Sequence, residues 1–494
     1  MQARTMRATT TPPCRPAAAG RSGPAATCVA AMRALPTRGA PPPRPRLPPP
    51  SALPHPSARV LATDDPVIIA TKRMIAEAGR ADILSLAQGV VHWTPPPAAL
   101  AAGAAALATD PASACGYGPA LGSPPLVAAL QAKVRAANGL TQHDVMVTAG
   151  ANQGFVNLVL ACLDAGDRAA VFGPYYFNAV MALQMTGSGH AIAVGPCDPI
   201  TWEPDVEWLE AELSSPAPPR LVVIVSPSNP TGCVVPPATL ARAAEACERA
   251  GAWLVLDSTY EDFLFGEEGG GAAGGGSGGA RAAAAALPPQ PRTPAASLHP
   301  ALAAPHVLHL FSMSKAYGMM GWRVGYLAYH AASGLGRQLA KVQDTIPICP
   351  SSLSQVVAAA ALDPGASGLD GGPAWVAAQV AGLAGNRAAV RAALAPLAAA
   401  GGSVGKGTGA IYHWAALPPR VPGSSPSDLR MDDAAVVRWL VRRHGVCTIP
   451  GSACGAPGHV RAAFGNLAPG ACATAAARLG EGLEELVRKG MVGL

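Results

Sequence analysis

The sequence predicts an α/β fold, with a large domain built on a mostly parallel β-sheet between helices and a smaller α+β domain after it. Three observations carry that prediction. Between about residues 124 and 315, short apolar runs alternate with stretches of helical length. Parallel strands need such crossovers, so the pattern implies a sheet covered on both faces. After about 346 the order changes to helices followed by strands, which suits a separate α+β unit. The chain has 494 residues, half of them hydrophobic and 13% charged, enough for two domains and a sizeable core.

The elements follow in order. From Asp64, "DDPVIIATKRMIAEAG" reads as an amphipathic helix and "ILSLAQG" as a short strand; "PPLVAALQAKVRAAN" is a second helix. Three strand–helix pairs come next: "DVMVTAG" with "NQGFVNLVLACLD", "DRAAVFGP" with "YFNAVMALQMTG", and "RLVVIVSPSNPTG" with "PATLARAAEACERAG". "AWLVLDSTY" and "HVLHLFSMSK" are further strands. Residues 266–305 between them are rich in Gly, Ala and Pro and lack the means to build a core, so they are predicted to be a disordered surface insertion. Helices in "PAWVAAQVAGLAGNRAAVRAALAPLAAAG" then precede the strands "GAIYHWAALP", "GVCTIPG" and "HVRAAFG". The expected division is an N-terminal arm with part of the small domain over 64–110, the large domain over 111–345, and the small C-terminal domain over 346–494.

The formal charge of +6 belongs to the N-terminus. Residues 1–63 hold nine Arg and no Lys, Asp or Glu; taking those nine from 36 basic residues leaves 27 against 30 acidic ones, a net −3. Nothing in the remainder suggests a nucleic-acid surface. The Arg-rich, acid-free, then proline-rich segment lacks a continuous apolar stretch and reads as an organellar transit peptide rather than a secretory signal. Its Ala, Ser, Thr and Pro lean toward a plastid, with a mitochondrion or the cytoplasm the alternatives, and a plain disordered tail gives the same composition. Eleven cysteines show no CxxC pair or zinc-ligand spacing, so reduced thiols and no metal site are expected. No run of about 18 apolar residues predicts a membrane span.

The chemistry-bearing residues sit just past the strands. In "FSMSKAYGMMGWRVGY", Lys315 follows an apolar run, with Ser312 three residues before it and Arg323 eight after. Alone, such a lysine reads as a snorkelling surface residue. Together the segment offers an amine for a Schiff base and a hydroxyl and guanidinium for a phosphate. Asn229 in "VSPSNPTG" and Asp257 and Tyr260 in "LDSTYEDF" are placed at strand C-terminal ends, where open α/β sheets bind ligands. Singly, Asn229 is a turn former and Asp257 a cap. "TAGANQGF" follows a strand and opens a helix whose first N–H groups make an anion cradle.

The ordered set "SLAQG", "YGPALG", "TAGANQ", "GPYY", "SNPTG", "DSTY", "SMSKAYGMMGWRVG", "GAIY" and "HVRAAFG" resembles the fold-type I enzymes that use pyridoxal 5′-phosphate, and within them the class I/II aminotransferases. That resemblance covers about 64–490 apart from the insertion, and implies a large domain with a mostly parallel seven-stranded sheet. It implies that Lys315 bonds the cofactor aldehyde and moves the proton between Cα and C4′. Asp257 would pair with the pyridine nitrogen, Asn229 and Tyr260 with the phenolic oxygen. Tyr176 would stack on the ring, with Tyr175 as the fallback. Ala151, Asn152, Ser312 and Arg323 would hold the phosphate, joined by Tyr117 from a neighbouring subunit, which makes a homodimer. Arg461 would clamp the substrate carboxylate, where otherwise it would pair with a buried acid, and Gly89 would line the substrate pocket.

"SLAQGVVHW", "PYYFNAVMALQMTG" and "VVRWLVRRHGVCTIPG" are similar to a plant-type group of aromatic and methionine aminotransferases. That likeness implies transfer between such an amino acid and a 2-oxo acid of the phenylpyruvate or indole-3-pyruvate type. His92, Trp93 and Ile346 are expected to line an apolar side-chain pocket. A β-eliminating C–S lyase, a kynurenine-type aminotransferase and a non-catalytic protein on the same fold are the alternatives.

Overall fold

The computed structural model describes residues 54–188, 191–266, 298–363, 371–423 and 430–493, and Pro56–Leu494 form one compact unit. Among the described residues the strands are β1 (Leu84–Ser85), β2 (His143–Thr148), β3 (Ala169–Phe172), β4 (Ile192–Gly195), β5 (Leu221–Val225), β6 (Trp253–Asp257), β7 (Val307–Ser312), β8 (Gly325–His330), β9 (Ser403–Val404), β10 (Tyr412–Ala416), β11 (Val446–Cys447), β12 (Ile449–Pro450) and β13 (His459–Ala463). Seven of them form one sheet in the order β2-β8-β7-β6-β5-β3-β4. All its pairings are parallel except those of β8 with β2 and β7.

The apolar strands have no polar face because both faces are covered. Along β5, Leu221 and Val223 pack with the helices Ala151–Cys162, Phe177–Leu183 and Gly336–Thr345. Val222 and Ile224 pack with Val206–Leu213 and Pro237–Ala250 on the other side. Alternate residues of a strand point to opposite faces, so a run of consecutive branched apolar residues is what a doubly covered strand requires.

The direction of β8 positions the site. Parallel strands β5, β6 and β7 end along one edge of the sheet, at Val225, Asp257 and Ser312. Being antiparallel, β8 starts at that edge: Gly325 pairs with Ser312 on one side and Thr148 on the other. Arg323, two residues earlier, therefore reaches the same edge as Asp257. This strand, "GYLAYH", was not among the predicted elements, because the motif containing Arg323 runs straight into it.

A second sheet, β12-β13-β10-β9, is antiparallel throughout, and β1 pairs with β11. Its core packs beneath the long helix Pro469–Lys489.

Two expectations need correction at their margins. Most of the predicted insertion, and residues 1–53, lie outside the described residues. At the end of the insertion, however, Pro300–Ala303 form a 3-10 turn with Leu302 buried and its carbonyl 2.9 Å from Nε2 of the His309 ring. Ala58–Leu61 form one exposed helical turn rather than continuing a tail.

Candidate active site

A cavity of about 250 Å³ opens at the edge where β5, β6 and β7 end. Eleven of the predicted site residues line it: Gly89, Ala151, Asn152, Tyr176, Asn229, Asp257, Tyr260, Ser312, Lys315, Arg323 and Arg461.

Lys315 lies in the turn after β7. Its amine is pulled down to about 8, first by burial and then by the cations of Arg323 and Arg461, against the opposing pull of Asp257. Asp257 ends β6, and its Oδ1 accepts the backbone N–H of Thr259 at 2.9 Å. Burial raises its carboxyl, while that hydrogen bond and Lys315 oppose the rise.

One side of the cavity is an anion cradle. The helix Ala151–Cys162 begins there, so its first N–H groups have no intrahelical acceptor. The Arg323 guanidinium lies across the preceding Gly150, held by Nη1 to the Met320 carbonyl at 2.8 Å. Gly150 has a φ of 83°, and a Cβ there would fall 2.1 Å from Arg323 Nη2. A side chain there would strain the backbone and push the guanidinium aside, so glycine suits this position. Ser312 and Ser314 add hydroxyls, Ser314 standing 3.5 Å from Arg323 Nη1. Ser314 was not predicted, although it adjoins Lys315 in the same motif.

Across the cavity stands Arg461, in β13 and 1% exposed. Its Nη2 donates to the Ala87 carbonyl and its Nη1 to Asn229 Oδ1, both at 2.7 Å. Nε has no partner among the described residues. A buried cation without an acid, aimed at a cavity, is costly unless an anion arrives. The contact also orients Asn229: its oxygen is taken, leaving its amide nitrogen to donate. The Tyr260 and Tyr412 hydroxyls are 2.5 Å apart, and the Arg461 guanidinium lies 4.3 Å over the Tyr412 ring. Tyr412 belongs to the "GAIY" motif, from which no role was predicted for it.

Tyr176 lines the cavity, its hydroxyl donating to Asn152 Oδ1 at 3.3 Å. Tyr175 instead faces a smaller neighbouring cavity and packs on Gly455. Tyr117 is 84% exposed and does not line this cavity. The expected apolar pocket is corrected. Trp93 is buried core, its Nε1 donating to the Ala316 carbonyl; His92 is exposed and Ile346 is 48% exposed. The apolar lining comes instead from residues such as Ile68, on the helix Val67–Glu77, together with Val90 and Phe177.

The sequence profile of aminotransferase class I and II matches residues 81–479. The chain belongs to that family. It is 43% identical over 436 residues to an aromatic aminotransferase, ISS1, of Arabidopsis thaliana, covering 88% of this chain and 98% of that one. An aminotransferase from Mycobacterium tuberculosis superposes with a TM-score of 0.69 at 28% identity, covering 87% of this chain and 99% of that one. Aspartate aminotransferase from Thermus thermophilus, solved with maleate, has the same fold at a TM-score of 0.69 and 24% identity, covering 87% and 100%.

This aminotransferase is a pyridoxal-phosphate enzyme, as its family is. The cavity fits that group by its own chemistry. It offers an anion cradle, an amine of lowered proton affinity and a carboxylate at a strand end. Beside them the buried Arg461 Nε has no partner among the described residues.

Proposed function

We propose that this aminotransferase moves the amino group of an aromatic amino acid or methionine to a 2-oxo acid of the phenylpyruvate or indole-3-pyruvate type. The observation that carries this reading is the set of cations in the cavity. Lys315, Arg323 and Arg461 are the three that line it among the described residues. Lys315 supplies the amine, Arg323 meets the phosphate and Arg461 meets the α-carboxylate. Within this copy's own lining none is left for a second carboxylate on the substrate. Its side chain meets Ile68, Val90 and Phe177 instead, which suits an aromatic ring or thioether. The likeness to an aromatic aminotransferase over nearly its whole length supports the same choice.

The residues divide the work. Arg323, Ser312 and the N–H groups of Ala151 and Asn152 hold the phosphate. Asp257 pairs with the pyridine nitrogen, Asn229 and Tyr260 donate to the phenolic oxygen, and Tyr176 covers the ring. Bound there, the cofactor supplies an electron sink for the substrate Cα. Arg461 grips the α-carboxylate bidentately, orienting the Cα–H, while Gly89 leaves room beside it. Lys315 Nζ, with a proton affinity near 8, takes the Cα proton and returns it during transfer.

We assign 111–345 to the large domain and 346–494, with part of 64–110, to the small one, since β2 to β8 lie in the first and β9 to β13 in the second. Tyr117, exposed and outside its own cavity, serves a neighbouring copy in a homodimer. The basic, acid-free 1–63 directs the chain to a plastid.

Absorbance titration of the purified holoenzyme tests the reading. The cofactor band is expected to bleach with phenylalanine, tyrosine, tryptophan or methionine and to return with phenylpyruvate or indole-3-pyruvate. A response to aspartate or glutamate alone would overturn the substrate class. Release of pyruvate and ammonia from a cysteine conjugate, with no oxo-acid acceptor and no bleaching, would make the enzyme a C–S lyase.

A further inference from the structure

Tyr412 is held more tightly than packing requires. It is 1% exposed, in the central strand β10, with three partners around one phenol. Its hydroxyl lies 2.5 Å from that of Tyr260, itself 4% exposed. Its ring lies under the Arg461 guanidinium at 4.3 Å. Its hydroxyl also occupies the space beside Gly89, where a Cβ would fall 2.0 Å away. The glycine therefore admits this hydroxyl.

Two phenols have two protons and share one hydrogen bond. If Tyr260 donates to Tyr412, its proton is spent and it can only accept from the cavity. If Tyr412 donates, Tyr260 keeps its proton for an acceptor in the cavity. The cation over the Tyr412 ring favours withdrawal of its proton, making it the better donor of the two. Burial raises both phenols, Tyr260 to well above its ordinary value; Arg461 is the main influence opposing the rise in Tyr412 but the last of those acting on Tyr260.

We infer that Tyr412 is a positioning residue: its hydroxyl donates to Tyr260 and so points the Tyr260 proton at the phenolic oxygen of the cofactor. Gly89 leaves room for the contact and Arg461 polarises it, so the carboxylate clamp and the cofactor's electronics are joined through one side chain. The inference rests on the reading that Tyr260 faces that oxygen.

The test is the pH midpoint of the visible absorption band of the holoenzyme, read without substrate. A donor on the phenolic oxygen favours its anionic form and so lowers the pH at which the chromophore loses its proton. Tyr412→Phe removes only the hydroxyl and keeps the ring beneath Arg461. It leaves the Tyr260 proton on the cofactor oxygen but removes the hydroxyl that polarises it, so it is expected to raise the midpoint by a fraction of the roughly half to one pH unit that one whole hydrogen bond is worth. Tyr260→Phe should raise it at least as far, and the double variant no further than Tyr260→Phe alone, because the two groups act as one. Gly89→Ala, which displaces the hydroxyl without removing it, should move the midpoint in the same direction, and provides the readout should Tyr412→Phe fail to fold. If Tyr260→Phe moves the midpoint while Tyr412→Phe leaves it in place, Tyr412 is packing only and the inference is wrong. If neither moves it, Tyr260 does not serve the phenolic oxygen, and both the reading and the inference fall.

Discussion

The two ends of the cavity are built differently. The cofactor end takes its groups from one edge of one sheet. Asp257 ends β6, Ser312 ends β7, the cradle helix follows β2, and Arg323 precedes the antiparallel β8 on the same edge. The Arg461 end is assembled from four distant segments, carrying Gly89, Asn229, Tyr412 and Arg461, through contacts of the Arg461 and Tyr412 side chains with the others. Strand register places the first set whatever the neighbouring side chains are. The second set depends on each partner in turn, so a substitution at Arg461 should alter grip far more than cofactor chemistry, while one at Tyr412 or Gly89 should be felt at the cofactor end through Tyr260.

The sharpest way to break that comparison is Lys315→Ala. Loss of the base is expected to cut kcat by roughly 10⁴-fold, with far-UV circular dichroism unchanged. Retention of more than a tenth of the activity would show that the cofactor end is not where the proton moves. Next comes Arg461→Lys at the other end. It keeps the charge but loses the bidentate fork, so KM for the amino acid should rise about 10²-fold while kcat changes far less. An equal fall in kcat would mean that the two ends are not separable.

A smaller effect concerns stability. Lys315 has its proton affinity lowered from 10.5 to about 8 in the folded chain. Below pH 8 the amine is charged in both states and its burial penalty is fully present; the penalty fades between 8 and 10.5 and is gone above that. Apo Lys315→Met should therefore be more stable than the apo wild type at pH 7, by about 1–3 kcal/mol in denaturant melts, and should lose that advantage above pH 10.5. The smallest is Ser314→Ala, which should weaken cofactor binding by about fivefold in fluorescence titration, the worth of one hydroxyl hydrogen bond.

The same contrast explains what could be read in advance. Lys315, Asp257 and the "TAGANQ" cradle were legible because strand, turn and functional residue are contiguous, so the pattern that forms the element also marks its end. Arg461 was legible only through the order of motifs; no local signal shows that its partners are an asparagine and a carbonyl rather than a buried acid. Tyr412 was passed over because its role arises from contacts between segments far apart in the sequence, with Tyr260 and Gly89, 152 positions away for the first. His92, Trp93 and Ile346 were misplaced for the converse reason. Sequence nearness to Gly89 or to a strand does not say which face a side chain takes, and Trp93 turns into the core to brace the Ala316 carbonyl beside Lys315. The antiparallel β8 stayed hidden because its direction follows from the pairing partners, not from its own residues.

Borohydride reduction of the holoenzyme followed by peptide mapping bears most directly on the central claim, that one depressed amine at the sheet edge holds the cofactor. The added mass of the reduced cofactor is predicted on the peptide carrying Lys315 and on no other. Its appearance on a different peptide, or on none, would contradict the account.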